Sequence, residues 1–220
     1  MINSFKEIIE HTKNKGTRKA VIPMPGRNDI DILAGAVSSG LVMPCLIGRE
    51  SELKDMIAGT PLSSLSHGIL DAADQQEAIT RAVAYARDGH ADILMQGGVP
   101  HQPLMDAILD GSPGLKKART VSYVSVFELL KREKLILVTD TFLNNQPGIA
   151  EKQTILENAL QLARLLGIEE PKAAILAAIE QVNPGIPSTL DAAILSKMSE
   201  RRQFGKAIVE GPLDIDCALS

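Results

Sequence analysis

One pattern runs through the whole sequence: short aliphatic runs alternate with stretches of helical period and length. Eight runs are candidate strands: Lys19–Pro23, Val42–Gly48, Gly68–Asp71, Asp92–Gln96, Val121–Glu128, Lys134–Thr139, Lys172–Ile179 and Lys206–Glu210. Helical stretches lie between many of them, which is the order of βαβ units. The alternation therefore predicts an α/β fold with mostly parallel sheets flanked by helices.

The composition agrees with strands that are covered on both faces. Hydrophobic residues make up 45% of the 220 residues, yet aromatic residues are only 3% and Trp is absent. The core must therefore consist of aliphatic side chains, as is usual for parallel strands between helices. The net charge is -4 and no Lys/Arg run stands out, so neither a nucleic-acid nor a membrane surface is indicated.

The two cysteines and the N-terminus indicate the compartment. Cys45 and Cys217 are far apart and form no CxxC pair, so we expect both to be reduced, with no disulfide framework and no metal site. The first residues lack the apolar segment of a signal peptide, and no apolar run reaches a membrane-spanning length. The predicted location is the cytoplasm.

Two helices carry clear boundary signals. Asp74 with Glu77 predicts an N-terminal cap, followed by an apolar stripe that ends at Gly89. A second stripe ends at Gly167 and consists of Ile155, Leu156, Ala159, Leu162, Ala163 and Leu166. We interpret both stripes as packing faces without chemistry.

The segment Val121–Thr139 interrupts the alternation. Its two strand-like runs are separated by too few residues for a βαβ crossover, so a hairpin or a passage between sheets is expected. The predicted division is a first α/β domain over residues 1–130 and a second over residues 131–220, incomplete at its C-terminal end.

Ligands of open α/β sheets gather at the carboxyl ends of the strands. Gly97 and Gly98 follow one such strand, and a helix is expected to begin near Pro103. Consecutive glycines let backbone N–H groups approach a phosphate, but a tight turn without a ligand explains them equally simply. The chain has neither GxxxxGK[ST] nor GxGxxG, so a Walker or Rossmann site is not supported.

Three further segments bring polar groups to strand ends or helix starts. They are Lys116–Tyr123, Val138–Pro147 and Val182–Ala193. Each segment could contact phosphate or substrate. Each also has a purely structural interpretation: a basic turn in the first, turn-forming Asp and Asn in the second, and helix capping in the third. In the third segment Ser188 is the expected N-cap, with Asp191 three residues further on.

Taken together, these segments resemble the phosphate acetyl/butyryltransferase family, and the phosphate butyryltransferase branch in particular. The resemblance rests on motifs in the same order along nearly the whole chain: Ala91–Gly97, Ser122–Glu128, Thr139–Asp140, Val182–Pro184, Thr189–Ala193, Ser196–Met198 and Glu210–Asp216. It implies a two-domain fold similar to that of the isocitrate and isopropylmalate dehydrogenases, with the active site in the interdomain cleft, and a homodimer.

The resemblance also implies a reaction and a set of site residues. Family members exchange an acyl group between coenzyme A and phosphate; coenzyme A is a substrate, and neither a metal nor a covalently bound cofactor is expected. Carried over by position, Ser122 and Asp140 are the predicted catalytic residues. The predicted phosphate- and substrate-binding residues are Gly97, Gly98, Arg119, Thr139 and Asn183.

The chain also departs from the family pattern. Family members often carry Lys, Arg and His where this sequence has Gln96, Asp106 and Tyr123. They also continue beyond the position of Ser220 with a segment that supplies a catalytic arginine. We therefore expect the chain to be a fragment of a longer protein and these residues alone to be inactive.

The alternative is a non-catalytic or diverged homologue that binds coenzyme A or a small anion. Gln96 and Asp106 favour it, because they replace cations near a phosphate pocket. A dehydrogenase of the related fold would need metal-binding carboxylates opposite an arginine cluster, and the sequence offers no such set.

Overall fold

The computed structural model describes residues 2–64, 68–110, 114–115, 120–129 and 131–219. Two compact units are present: Ile9–Arg119, called here the N-terminal unit, and Met1–Ile8 with Thr120–Ser220, called the C-terminal unit. The sequence placed the division between residues 130 and 131 instead. That position lies between two strands that pair with each other, and their pairing holds both in the same unit.

The N-terminal unit contains a four-stranded parallel sheet. Its strands are β1 (Arg18–Pro23), β2 (Val42–Gly48), β3 (Ile69–Asp71) and β4 (Ile93–Leu94), in the order β3-β2-β1-β4. The helices are α1 (Phe5–Lys13), which begins in the other unit, α2 (Arg27–Ser38), α3 (Glu50–Ile57), α4 (Gln75–Arg87) and α5 (His101–Leu109), with a 3₁₀ turn at Pro61–Ser64. The predicted α/β class with mostly parallel strands is confirmed.

The two central strands are buried on both faces, as the aliphatic composition indicated. Ile22 and Leu46 belong to one cluster with residues of α2 and α3, while Val21 and Ile47 belong to another with α4. All four side chains are essentially inaccessible to solvent. Neighbouring residues of a strand point to opposite faces, so this division is what a sheet between two helix layers requires.

The predicted boundaries of α4 are confirmed. The Asp74 Oδ1 accepts a hydrogen bond of 2.8 Å from the Glu77 N–H, and the Glu77 Oε2 accepts one of 2.9 Å from the Ala73 N–H. These bonds satisfy donors that the first helical turn leaves without a partner. Gly89 follows the helix with φ +80°, a conformation that glycine adopts without steric cost.

The described residues of the C-terminal unit form two strand pairs and three further helices. Strands β5 (Val124–Leu129) and β6 (Lys134–Thr139) form an antiparallel pair, so of the two expected arrangements, a hairpin or a passage between sheets, the structure has the hairpin. Strands β7 (Lys172–Leu176) and β8 (Ile208–Leu213) pair in parallel. The helices are α6 (Ile149–Leu165), α7 (Pro187–Glu200) and α8 (Ile215–Leu219).

The core of this unit lies where α6 and α7 meet the β7–β8 pair. It is formed by the buried residues Leu156, Leu160, Leu195, Phe204, Ala207 and Val209. A half-buried ion pair also joins the two helices, with 2.6 Å between the Lys152 Nζ and the Asp191 Oδ2. Gly167 closes α6 with φ +82°, as its position in the sequence indicated.

The start of α7 differs from the prediction. The N-cap is Ile186 and Pro187 occupies the first turn, so Ser188 lies inside the helix and is not its cap. Proline is favoured at this position because its missing N–H would have no partner there anyway. Asp191 binds Lys152 of α6.

Across the part of the chain that the structure describes, every helix is too short or too polar to span a bilayer.

Candidate active site

Gly97 and Gly98 lie directly against the carboxyl end of β1. A Cβ atom on Gly97 would come within 2.1 Å of the Pro23 carbonyl oxygen, and one on Gly98 within 2.5 Å of the Met24 carbonyl oxygen. The Gly98 N–H also donates a hydrogen bond of 2.7 Å to that Met24 oxygen. The two glycines are therefore required by packing within the chain, and the Gly98 N–H already has an internal acceptor.

The side chain of Gln96 organises the same turn. Its Nε2 donates to the Val99 carbonyl at 3.1 Å, and its Oε1 lies 3.2 Å from the Nδ1 of His101. Helix α5 begins at His101, two residues before the expected Pro103. With Nδ1 protonated, His101 donates to the Gln96 Oε1, and lysine, which has no acceptor, could not take that place while also bonding to Val99.

Ser122 lies two residues before the start of β5, and its hydroxyl contacts helix α6. The Asn158 Nδ2, in the middle of α6, donates to the Ser122 Oγ at 2.8 Å. Both side chains are half-buried. The predicted catalytic hydroxyl is thus held by a residue to which the sequence pattern assigned no chemistry.

The main chain on each side of Ser122 is held by the last residue of β6 and by the segment that follows it. The Thr139 Oγ1 donates to the Tyr123 carbonyl at 2.8 Å, and the Asp140 Oδ2 accepts from the Tyr123 N–H at 3.0 Å. The Asn144 Nδ2 donates to the Val121 carbonyl at 3.0 Å and to the Asp140 Oδ2 at 2.7 Å. We call Thr139, Asp140, Asn144 and Asn158 the Ser122 frame.

The carboxylate of Asp140 is fully engaged within the chain. Its Oδ1 accepts two further bonds, both of 2.9 Å, from the N–H groups of Phe142 and Leu143. Burial acts to raise the pKa of Asp140, but the bonds from Phe142, Leu143, Tyr123 and Asn144 outweigh it and hold that pKa below its ordinary value. A carboxylate with four donors and a lowered pKa is a poor proton acceptor, so the geometry favours a positioning role over the predicted catalytic one.

We expect Asp140→Asn to lower the free energy of unfolding by about 1–2 kcal/mol at pH 7, since an amide nitrogen would face N–H donors. The lowered folded pKa stabilises the native state above the unfolded pKa, about 4, and this stabilisation is lost as the pH falls through the folded pKa. The difference between wild type and variant should therefore shrink below about pH 4. Urea unfolding from pH 7 to 3 measures it.

A matched control for this change is Asp31→Asn, which alters an exposed carboxylate on α2. Its stability at pH 7 should stay within about 0.5 kcal/mol of wild type. If Asp140→Asn behaved in the same way at pH 7, the proposed anchoring by Asp140 would be wrong.

Asn183 forms a compact turn before α7. Its Oδ1 accepts from the Gly185 N–H at 2.8 Å, and its backbone N–H and carbonyl both bond to the Oγ1 of the buried Thr189, at 2.9 and 3.0 Å. None of the hydrogen bonds recorded among the described residues links this turn to the Ser122 frame. The contacts of Asn183 are those of the turn-forming interpretation that the sequence left open.

Arg119, predicted to help neutralise phosphate, lies outside the described residues, as do Lys116 and Lys117. Tyr123 is 44% exposed and packs against Phe142, with ring centroids 5.7 Å apart. Asp106 accepts a hydrogen bond of 2.8 Å from the side-chain amide of Gln102 on the same helix.

A small polar cluster follows the carboxyl ends of β7 and β8. Ligand atoms of Glu180, Asp214 and Cys217 lie within 4.8 Å of one another. Hydrogen bonding to Glu180, then burial and the nearby Asp214, raise the pKa of Cys217 to about 11. The thiol is therefore protonated at neutral pH and forms part of a hydrogen-bonded cluster.

The fold agrees with the relationship that the sequence comparisons establish. Residues 71–220 match the family described as phosphate acetyl/butaryl transferase. The chain therefore belongs to the phosphate acetyl/butyryltransferase family, a class of enzymes that exchange an acyl group between coenzyme A and phosphate.

Individual relatives support this membership. The chain is 35% identical over 221 residues to the phosphate butyryltransferase of Clostridium acetobutylicum, covering 100% of this chain and 73% of the relative. It is 34% identical over 190 residues to the phosphate acetyltransferase of Rhizobium meliloti, covering 85% of this chain and 60% of the relative. The crystal structure of a branched-chain phosphotransacylase from Enterococcus faecalis V583 matches with a TM-score of 0.77 at 26% identity, over 92% of this chain and 71% of that one.

Proposed function

We propose that this protein transfers a short-chain acyl group between coenzyme A and inorganic phosphate. The observation that carries the proposal is a likeness to a phosphate butyryltransferase that extends over the whole chain. The Ser122 frame adds support, because it devotes four side chains to holding one hydroxyl and its flanking main chain. Such preorganised donors are typical of sites that stabilise developing negative charge.

The proposed reaction needs no redox partner. In the direction of acyl-CoA formation, the coenzyme A thiolate attacks the acyl carbonyl of the acyl phosphate and forms a C–S bond. The C–O bond to phosphate then breaks, and the phosphate leaves with the electron pair. The thiol proton goes to a base or to the phosphate, and Asp140 is a poor acceptor for it because four donors already occupy its oxygens.

Within this reaction we assign Ser122 as the residue that donates a hydrogen bond to the phosphate or to the oxyanion. Thr139 and Asp140 position it through the Tyr123 main chain. Arg119 would neutralise phosphate charge. Gly97, Gly98 and Asn183 shape the loops around the ligands rather than supply charge.

The proposal also covers the location, the assembly and the partners of the protein. We infer a cytoplasmic homodimer that uses coenzyme A as a substrate, without a bound cofactor and without a nucleic-acid or membrane partner. The net charge of -4 agrees with a partner that is a small molecule, because nucleic-acid surfaces are usually basic.

The direct test is phosphate-dependent release of coenzyme A from acetyl-CoA and butyryl-CoA, followed with a thiol reagent in the native protein. We expect thiol release that requires phosphate and that saturates with it. Release of thiol at the same rate without phosphate would identify a hydrolase instead, and no release with either substrate would reject the acyltransferase proposal.

A second candidate is a diverged homologue that binds coenzyme A or a small anion without acyl transfer. The observation that favours it is the turn at Gln96, where the side chain bonds to Val99 and His101 instead of offering a cation. This candidate predicts that phosphate raises the thermal unfolding midpoint while the thiol-release assay stays at background.

A further inference from the structure

Helix α6 carries a half-buried asparagine, Asn158, at the edge of its apolar stripe. Asn158 lies three residues after the buried Ile155 and four before Leu162, so it shares their side of the helix. Asparagine is a poor helix former in such a position, because its side chain competes for backbone hydrogen bonds. Here its amide instead reaches across to the Oγ of Ser122, 36 residues earlier, at 2.8 Å.

The direction of this bond determines what Ser122 offers to a ligand. A serine hydroxyl has one hydrogen and two lone pairs, and the Asn158 N–H occupies one of those lone pairs. The hydroxyl hydrogen must therefore point away from Asn158. Among the described residues, no acceptor for that hydrogen is recorded, so the hydroxyl can donate to a bound molecule.

We propose that Asn158 is a positioning residue that orients the Ser122 hydroxyl as a hydrogen-bond donor towards an anionic substrate oxygen. This inference rests on the proposed acyl transfer and assigns a further residue to it. Phosphate oxygens and the oxyanion of a tetrahedral intermediate are acceptors only, so a hydroxyl with its hydrogen fixed outward complements them. A hydroxyl turned inward would present lone pairs and repel them.

The other three residues of the Ser122 frame fix the main chain but not the Ser122 hydroxyl, so a side-chain contact is needed in addition to theirs. Thr139, Asp140 and Asn144 bond to the main chain of Val121 and Tyr123, and they thereby set where the Ser122 Cα lies. They leave the rotation of the hydroxyl undetermined. Asn158 supplies this last constraint, and a donated bond also strengthens the hydroxyl as a donor in turn.

The test is a double-mutant cycle in the native protein, read as phosphate-dependent release of coenzyme A. We expect Asn158→Ala to lower kcat/KM for phosphate about three- to tenfold, because the Ser122 hydroxyl would lose its fixed orientation and its polarisation. In the Ser122→Ala background the same change should have less than a twofold effect. Equal losses in both backgrounds would show that Asn158 does not act through Ser122.

A second variant separates orientation from charge. In Asn158→Asp the side chain accepts only, so it would turn the Ser122 hydroxyl inward, and we expect a larger loss than in Asn158→Ala. That loss should vanish when Ser122 is Ala. Charge repulsion of phosphate would persist in that background, and its persistence would overturn the proposed reversal of the hydroxyl.

The matched control is Gln153→Ala, which removes a surface amide of α6 that bonds to Glu157 at 2.9 Å. It should leave both kinetic constants unchanged. If wild type released no coenzyme A, the acyl-transfer proposal would fail; the cycle would then be read from the inorganic phosphate concentration that half-saturates thermal stabilisation. Coupling there would support the orienting role of Asn158, and its absence would reject it.

Discussion

Ser122→Ala should lower kcat/KM for phosphate about 10²-fold, the usual cost of removing one preorganised donor from a site that stabilises negative charge. The variant loses the hydroxyl that Asn158 holds at 2.8 Å, while the main chain keeps its bonds to Thr139, Asp140 and Asn144. We expect most of the loss in kcat, because the developing charge belongs to the transition state. Steady-state thiol release with acetyl-CoA and butyryl-CoA measures it.

Ser125→Ala is the matched control, since it makes the same change three residues later, on β5. Its activity should equal that of wild type. Ser122→Ala should also retain its fold, with a loss of about 1 kcal/mol from the unsatisfied Asn158 amide. Unchanged kinetics in a folded Ser122→Ala protein would remove Ser122 from the site.

Gly97→Ala should destabilise the protein by more than about 3 kcal/mol or prevent folding, because the clash is with backbone. The added Cβ would lie 2.1 Å from the Pro23 carbonyl oxygen and 2.9 Å from the Ile22 Cγ2. Relief would require the turn to move away from β1, one of the two central strands of its sheet. Urea unfolding followed by circular dichroism measures the loss.

The control for this change is Gly35→Ala, inside α2. A Cβ there would meet no atom within 4 Å, and alanine favours the helix, so stability should rise by up to about 1 kcal/mol. A Gly97→Ala protein as stable as wild type would show that the turn can move away from β1 without loss of stability. The close approach of Gly97 to β1 would then not be what requires glycine.

The structure shows what Gln96, a residue at which the chain departs from its family pattern, does in the fold. Gln96 makes two bonds that hold the glycine turn to the start of α5, and replacing it with lysine would add a cation and remove the acceptor that faces His101.

Local patterns in the sequence were sufficient to predict the elements of the fold. All eight predicted strands correspond to observed ones, and β2 and β6 match residue for residue. The cap at Asp74 and the helix end at Gly89 were also predictable, since caps and left-handed glycines depend on a few adjacent residues. Family membership, too, followed from ordered motifs.

The tertiary structure showed which contacts the candidate site residues make. Asp140 is a predicted catalytic residue, and its four donors favour an anchor instead: Phe142, Leu143 and Asn144 are close in sequence, while Tyr123 is 17 residues away. Asn158 had one visible signal, a polar residue beside the apolar stripe of its helix, but its partner Ser122 is 36 residues away. Likewise the two units divide between Arg119 and Thr120 and not after residue 130, because β5 and β6 pair and belong to one unit.

The physical reason for this division is the range of the interactions. Strand, helix and turn preferences arise from the backbone and from neighbours within about one helical turn, so alternation alone determined an α/β chain. Which hydroxyl meets which amide depends on how distant segments pack, and the same residue serves as base, anchor or cap according to that packing. In this protein the sequence therefore determined the order of elements and the family, and packing determined that Asn158 bonds to Ser122 while Asp140 anchors the Tyr123 main chain.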